Sequence, residues 1–161
     1  LKKSVYIETT IPSYYLSRPS RDIIVLAHQE ITRVWWEKRL TLYRPYISQV
    51  VIEEIKRGDE SAAKKRLELI AGFEILEATT EIEKLASRYM GVLNLPAKAI
   101  RDAAHLAFAC MYHIDFLVTW NCTHLANAEI IRTLGAYNLS NDIPVPIICT
   151  PEIMIREEED E

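Results

Sequence analysis

The chain has 161 residues, 49% of them apolar and 26% charged, which is the balance of one soluble domain able to bury a core without covalent staples. Its three cysteines (Cys110, Cys122 and Cys149) are odd in number and widely spaced, so cytoplasmic thiols are expected rather than a disulfide framework. No apolar run approaches the ~20 residues that span a bilayer, and Lys2 and Lys3 lead into a strand rather than the apolar stretch of a signal peptide, so no membrane role is expected.

Charge is unevenly placed. The net value is −4, yet residues 1–66 carry 13 Lys and Arg against 8 Asp and Glu, and the other 95 carry 6 against 15. Five of those 15 acids form the terminal run 157–161, read as an acidic tail. The overall balance therefore leaves room for a basic face toward RNA.

In chain order, Lys3 to Ile7 reads as a strand, dense in β-favouring residues and broken by Thr9, Thr10 and Pro12. Asp22 to Arg39 reads as a helix with Ile23, Leu26, Ala27, Ile31, Val34 and Trp35 on one stripe. Tyr46 to Ser48 is a short strand, with Ser48 placed to cap a helix over Gln49 to Lys56 that Gly58 ends. A helix follows from Ser61 to Ala71, a strand over Phe73 to Leu76, and a helix from Thr80 to Met90. Pro96 opens the helix that carries Asp102 and ends near Tyr112. Phe116 to Thr119 is an apolar strand, Asn127 to Leu134 a shorter helix, and Val145 to Cys149 a last strand. Continuous rather than alternating apolar strands, interleaved with helices, point to an α/β domain whose parallel sheet is covered on both faces.

Four apolar runs end on an oxygen-bearing side chain: Glu8, Glu54, Asp102 and Asn121. Sites in parallel sheets lie off the carboxyl ends of the strands, where Glu8 and Asn121 fall. Such hard oxygen donors, gathered together, suit Mg2+ or Mn2+ and hydrolysis of a phosphodiester by metal-activated water. Taken singly, Glu8 also reads as a strand-end cap, Glu54 as a surface acid beside Glu53, and Asn121 as a turn residue. Asp102 borders the packed face of Ile100, Ala103, Leu106 and Ala107, where a carboxylate is costly unless paired or metal-bound.

The joint placement resembles the PIN-domain ribonucleases, in particular the VapC-like toxins of type II toxin–antitoxin pairs. The resemblance runs from VYIETTIPSYY to TPEIM: an acid and a hydroxyl residue close the first strand (Glu8, Thr9), and Ser48 precedes Glu54 by six residues with Ile55 next. Asp102, Ala103, Leu106 and Ala107 follow the Asp-Ala-x-x-Leu-Ala helix, and Thr119-Trp120-Asn121 the Thr-x-Asp/Asn strand end. Two positions depart from the pattern, Glu8 and Asn121 standing where Asp is usual. The resemblance implies a three-layer α/β/α PIN-like domain over 1–155, with a central, mainly parallel sheet of about five strands, and a tail over 156–161. It further implies a divalent-metal-dependent endoribonuclease, a toxin whose Glu8, Glu54, Asp102 and Asn121 hold the ion, with Thr9 and Thr119 fixing the carboxylates by hydrogen bonds. An RNA substrate, a cognate antitoxin protein and a homodimer are the implied partners. The alternative is a PIN-like RNA- or protein-binding module with weakened catalysis.

Other features carry less. His105, three residues after Asp102, reads as a satisfied core histidine, though it is placed to touch substrate. Cys122 and His124 lack the second ligand pair of a structural zinc site. Tyr14, Tyr15, Trp35, Trp36 and Tyr43, interleaved with arginines, read as core and protein interface rather than base-stacking platforms. No P-loop, dinucleotide-binding glycine pattern or Gly-x-Ser-x-Gly elbow is present.

Overall fold

A computed structural model describes residues 1–155; the expected acidic tail, 156–161, lies outside the described residues. Five strands, β1 (Lys3–Ile7), β2 (Tyr43–Ser48), β3 (Glu74–Leu76), β4 (Phe116–Val118) and β5 (Ile147–Cys149), form one sheet in the order β3-β2-β1-β4-β5. All four pairings are parallel. Val5, Tyr6 and Ile7 of β1 are fully buried, as a central strand covered on both faces requires. Its register against β4 is locked outside the ladder: Asp115 Oδ2 accepts from the Ser4 amide at 2.8 Å and from Ser4 Oγ at 3.0 Å.

Among the described residues eight α-helices surround the sheet: α1 (Thr10–Leu16), α2 (Ile23–Lys38), α3 (Gln49–Lys56), α4 (Glu60–Ile70), α5 (Thr80–Val92), α6 (Ile100–Met111), α7 (Ala128–Ser140) and α8 (Pro151–Met154). One set packs α1 on α2 and α4, and α2 on α8; the other packs α5 along α6 and against α7, while α3 touches both α4 and α6. The result is the expected three-layer α/β/α PIN-like architecture. Among the described residues no helix is long and apolar enough to cross a membrane.

Several elements differ from the sequence reading. The segment taken as a break after β1 is helix α1, because Pro12 sits in its first turn, where a missing N–H costs nothing. Helix α7 runs through Gly135 to Ser140, beyond the expected end at Leu134. Its last turns are held by the buried Asn138, which accepts from Tyr89 Oη at 2.8 Å. Strand β2 begins at Tyr43 and includes Pro45, which tolerates the strand because β3 pairs only from Tyr46 onward. Ser48 stands at the start of α3 but makes no side-chain cap; its hydroxyl is taken by Tyr6 instead.

Candidate metal centre at the strand ends

The chain builds β1, β2 and β3 outward on one side, then returns to lay β4 and β5 on the other side of β1. The crevice off the carboxyl ends of β1 and β4 is thus the switch point where open parallel sheets place their ligands. Glu8 follows β1 directly and its amide donates to Val118 O of β4 at 3.2 Å. Glu8 is only 3% exposed. Oε1 accepts from the Thr10 amide (3.0 Å), Thr10 Oγ1 (2.5 Å) and Thr119 Oγ1 (2.7 Å). Each hydroxyl is itself fixed, Thr10 Oγ1 accepting from the Trp120 amide and Thr119 Oγ1 from the Asn121 amide, both at 2.9 Å. Burial raises the Glu8 pKa, against the opposing pull of His105 and of these donors.

Glu54 comes from α3, whose buried Val51 and Ile55 press the helix onto the core and turn Glu54 inward while Glu53 stays exposed. Glu54 Oε1 accepts from Thr9 Oγ1 at 2.9 Å and lies 2.5 Å from His105 Nε2. Burial pushes the Glu54 pKa up, but hydrogen bonding and charge from His105, with help from Thr9, outweigh it and leave it lowered.

His105 is fully buried in α6. Its Nδ1 is 2.6 Å from Tyr6 Oη, and Tyr6 Oη is 2.7 Å from Ser48 Oγ. Burial lowers its pKa, yet the carboxylates of Glu54, Glu8 and Asp102 outweigh burial and leave it raised. Nε2 also lies 4.0 Å from Glu8 Oε2. Glu8, Glu54 and His105 each offer an atom within 4.8 Å of the other two.

Asp102 and Asn121 stand differently. Asp102, in the first turn of α6, is half-buried and outside that trio; its Oδ2 is 2.9 Å from His124 Nδ1. Asn121 Oδ1 accepts from the amides of Thr123 (3.3 Å) and His124 (3.0 Å), capping the turn after β4. Sequence reasoning did not find Thr10, Tyr6 or the Asp102–His124 pair. One signal was available: Tyr6 has a polar tip inside a buried strand, and such a tip needs a partner.

Three carboxylate oxygens, Glu8 Oε2, Glu54 Oε2 and Asp102 Oδ1, accept no hydrogen bond among the described residues. Carboxylates with unpartnered oxygens are the donors that Mg2+ or Mn2+ takes, so these residues fit a divalent ion.

At the far end of α1 lies a cavity of about 330 Å³ lined by Ser17, Arg18, Asp59, Ser61, Lys65 and Arg66. Among the described residues Arg18, Lys65 and Arg66 pair with no carboxylate, and Arg66 Nε is buried without a hydrogen-bond partner. The aromatic residues go mainly to the core: Trp35 is fully buried, and Tyr14, Trp36 and Tyr43 pack against it.

No protein-family profile and no curated protein sequence matches the chain. Solved structures do share its fold. FitAcB from Neisseria gonorrhoeae superposes with a TM-score of 0.57 at 13% identity, over 92% of this chain and 98% of that one. VapBC2 from Rickettsia felis, solved bound to a DNA fragment from their promoter, gives 0.52 at 14% identity, over 91% and 97%. VapC20 from Mycobacterium tuberculosis, a sarcin-ricin loop cleaving toxin, gives 0.52 at 15% identity, over 71% and 87%. The chain thus has the fold of VapC-type structures.

Proposed function

We propose that this chain is a divalent-metal-dependent endoribonuclease of the VapC-like kind, acting in the cytoplasm as the toxin of a toxin–antitoxin pair. The observation that carries the reading is the convergence of Glu8 and Glu54, from separate elements, on the switch-point crevice with free carboxylate oxygens and with Asp102 close by. Glu8, Glu54 and Asp102, with Asn121 beside them, would hold Mg2+ or Mn2+, which when bound activates water and offsets charge on phosphoryl oxygens. The chain's own part is orientation. Thr10 and Thr119 hold Glu8, Thr9 holds Glu54, and His124 holds Asp102, so that each acid is fixed before substrate arrives. The fold shared with VapC20, a toxin that cleaves the sarcin-ricin loop, supports RNA as substrate, and the likeness to VapBC2 supports an antitoxin partner. A homodimer belongs to the same reading.

A second reading, a PIN-like RNA- or protein-binding module with weakened turnover, is favoured by one observation. The Asn121 carbonyl is committed to its own turn, which leaves fewer ligands for an ion.

Cleavage of a mixed RNA pool by the purified protein, with Mg2+, Mn2+ or EDTA and beside Asp102→Ala, separates the two. The nuclease cuts only with metal and only with Asp102. Folded protein that binds RNA but never cuts establishes the binding module.

A further inference from the structure

The histidines among the strand-end acids are already engaged, His105 with Glu54 and His124 with Asp102. Arg101, the residue before Asp102, is not. We infer that Arg101 is a catalytic residue of this site, its guanidinium donating to the non-bridging oxygens of the scissile phosphate as negative charge builds on them; the assignment rests on the metal-dependent nuclease reading above.

The fold brings Arg101 to the crevice. Helix α6 ends at Met111, shortly before β4 begins at Phe116, so it runs back along the sheet and starts near the carboxyl ends of the strands. Four residues separate Arg101 from His105, which puts both on one stripe of the helix. On that stripe His105 Nε2 lies 2.5 Å from Glu54 Oε1 and 4.0 Å from Glu8 Oε2. Arg101 stands one turn nearer the helix start, and helical side chains lean toward that end, which carries its guanidinium to the mouth of the cluster. It is half-buried, and among the described residues it pairs with no carboxylate. Its charge still reaches Glu54: burial pushes that pKa up, His105 and Thr9 pull it down, and Arg101 adds to the pull.

Hydrolysis of a phosphodiester forms a bond from a water oxygen to phosphorus and breaks the bond from phosphorus to the leaving ribose oxygen, which gains a proton as the water loses one. Charge meanwhile spreads over the non-bridging oxygens. A guanidinium stays charged throughout, exchanges no proton, and presents a planar fork of N–H donors that matches two phosphoryl oxygens. Donors aimed where charge develops lower the barrier instead of only tightening binding. An arginine that merely steadied the acids would pair with one of them, but Asp102 takes His124, and Glu54 takes Thr9 and His105.

The test is cleavage of a single-stranded RNA by the full chain, with Mg2+ or Mn2+ at fixed ionic strength. In Arg101→Ala the expected result is a kcat at least about 100-fold lower, with KM unchanged and metal affinity, read by calorimetry, not weakened. Guanidinium at a sub-denaturing concentration restores cleavage to Arg101→Ala and sodium at the same concentration does not, a rescue that a structural role would not show. Lys98→Gln, which removes an exposed cation three residues earlier, keeps the wild-type kcat. A smaller fall in kcat, a loss carried by KM or by metal affinity, or a loss that guanidinium does not rescue overturns the assignment and leaves the nuclease reading standing. So does an equal fall in Lys98→Gln. No cleavage by the wild type with either ion overturns both. Should Arg101→Ala fail to fold, Arg101→Lys decides, since it keeps the charge and loses the fork: an unchanged kcat there overturns the assignment.

Discussion

Thr119 Oγ1, one residue beyond β4, donates to Glu8 Oε1, one residue beyond β1, over 2.7 Å, while accepting the Asn121 amide at 2.9 Å. One fully buried hydroxyl therefore joins the two central strands, orients the buried acid and starts the turn that carries Asn121.

Thr119→Val keeps the shape and removes both bonds, leaving a buried carboxylate and an amide short of partners. The expected loss is about 1–3 kcal/mol of stability, read as a lower urea midpoint at unchanged slope. Metal-dependent cleavage should fall about 10- to 100-fold, as when the outer partner of a ligand is lost. Thr119→Ser retains the hydroxyl and should recover most of both; equal damage from Ser and Val would assign the effect to packing.

Glu53 and Glu54 provide an internal control. They are adjacent on α3, but Glu53 is exposed while Glu54 meets Thr9 and His105. Glu54→Gln should lower cleavage by more than about 100-fold, beyond the range of an outer partner, and should weaken metal binding in calorimetry. Glu53→Gln should leave both unchanged. Similar losses from the two variants would count against a site built on the inward face of α3.

Asp115 supplies a pH dependence that belongs to the fold rather than the site. The hydrogen bond from the Ser4 amide, with the Ser4 hydroxyl and nearby Lys3 and Arg44, holds its carboxyl below the usual range. A depressed folded pKa means that the native state binds fewer protons than the unfolded chain between the two values. This share of stability is therefore complete above the unfolded value of about 3.9 and is lost as pH falls through the folded one. Chemical denaturation between pH 6 and pH 2 should show a shallower acid-side fall for Asp115→Asn than for wild type. Parallel curves would mean that the Ser4 contacts do not discriminate the charged form.

What could be read from the sequence was what repeats locally. The uninterrupted apolar β1 and β4, the helices between them and the strand-end position of Glu8 all follow from periodicity and short-range chemistry. Helix α1 was hidden because Pro12 is a breaker in the interior of a helix and harmless in its first turn, a difference of position that composition does not carry. Ser48 has the local pattern of a cap, but its hydroxyl bonds to Tyr6, 42 residues earlier. His105 is buried and hydrogen-bonded as a core histidine should be, yet its partners are Tyr6 and Glu54, 99 and 51 residues away. Partnerships of that range depend on the register of β1 and the packing of α3 on α6, and neither leaves a mark in a local window.

The uneven charge of the chain has a structural counterpart that can be tested on RNA directly. Arg18, Lys65 and Arg66 line one cavity at the far end of α1, without carboxylate partners among the described residues. Helix α1 has seven residues and spans about 10 Å, so the cavity lies one short helix from Thr10 and Glu8. A strand whose scissile phosphate sat at Glu8 would need cations at about that distance to offset a neighbouring stretch of its backbone. Each single-stranded phosphate contact contributes about 0.7 to the slope of log affinity against log salt. Binding of a single-stranded RNA in EDTA, which removes any contribution from cleavage, should therefore show slopes reduced by about 0.7 in Arg18→Gln and in Lys65→Gln. Lys84→Gln, an exposed change on α5 in the opposite set of helices, should keep the wild-type slope. Equal slopes in all three variants would remove this cavity from the RNA path and leave the basic half of the chain to a protein partner.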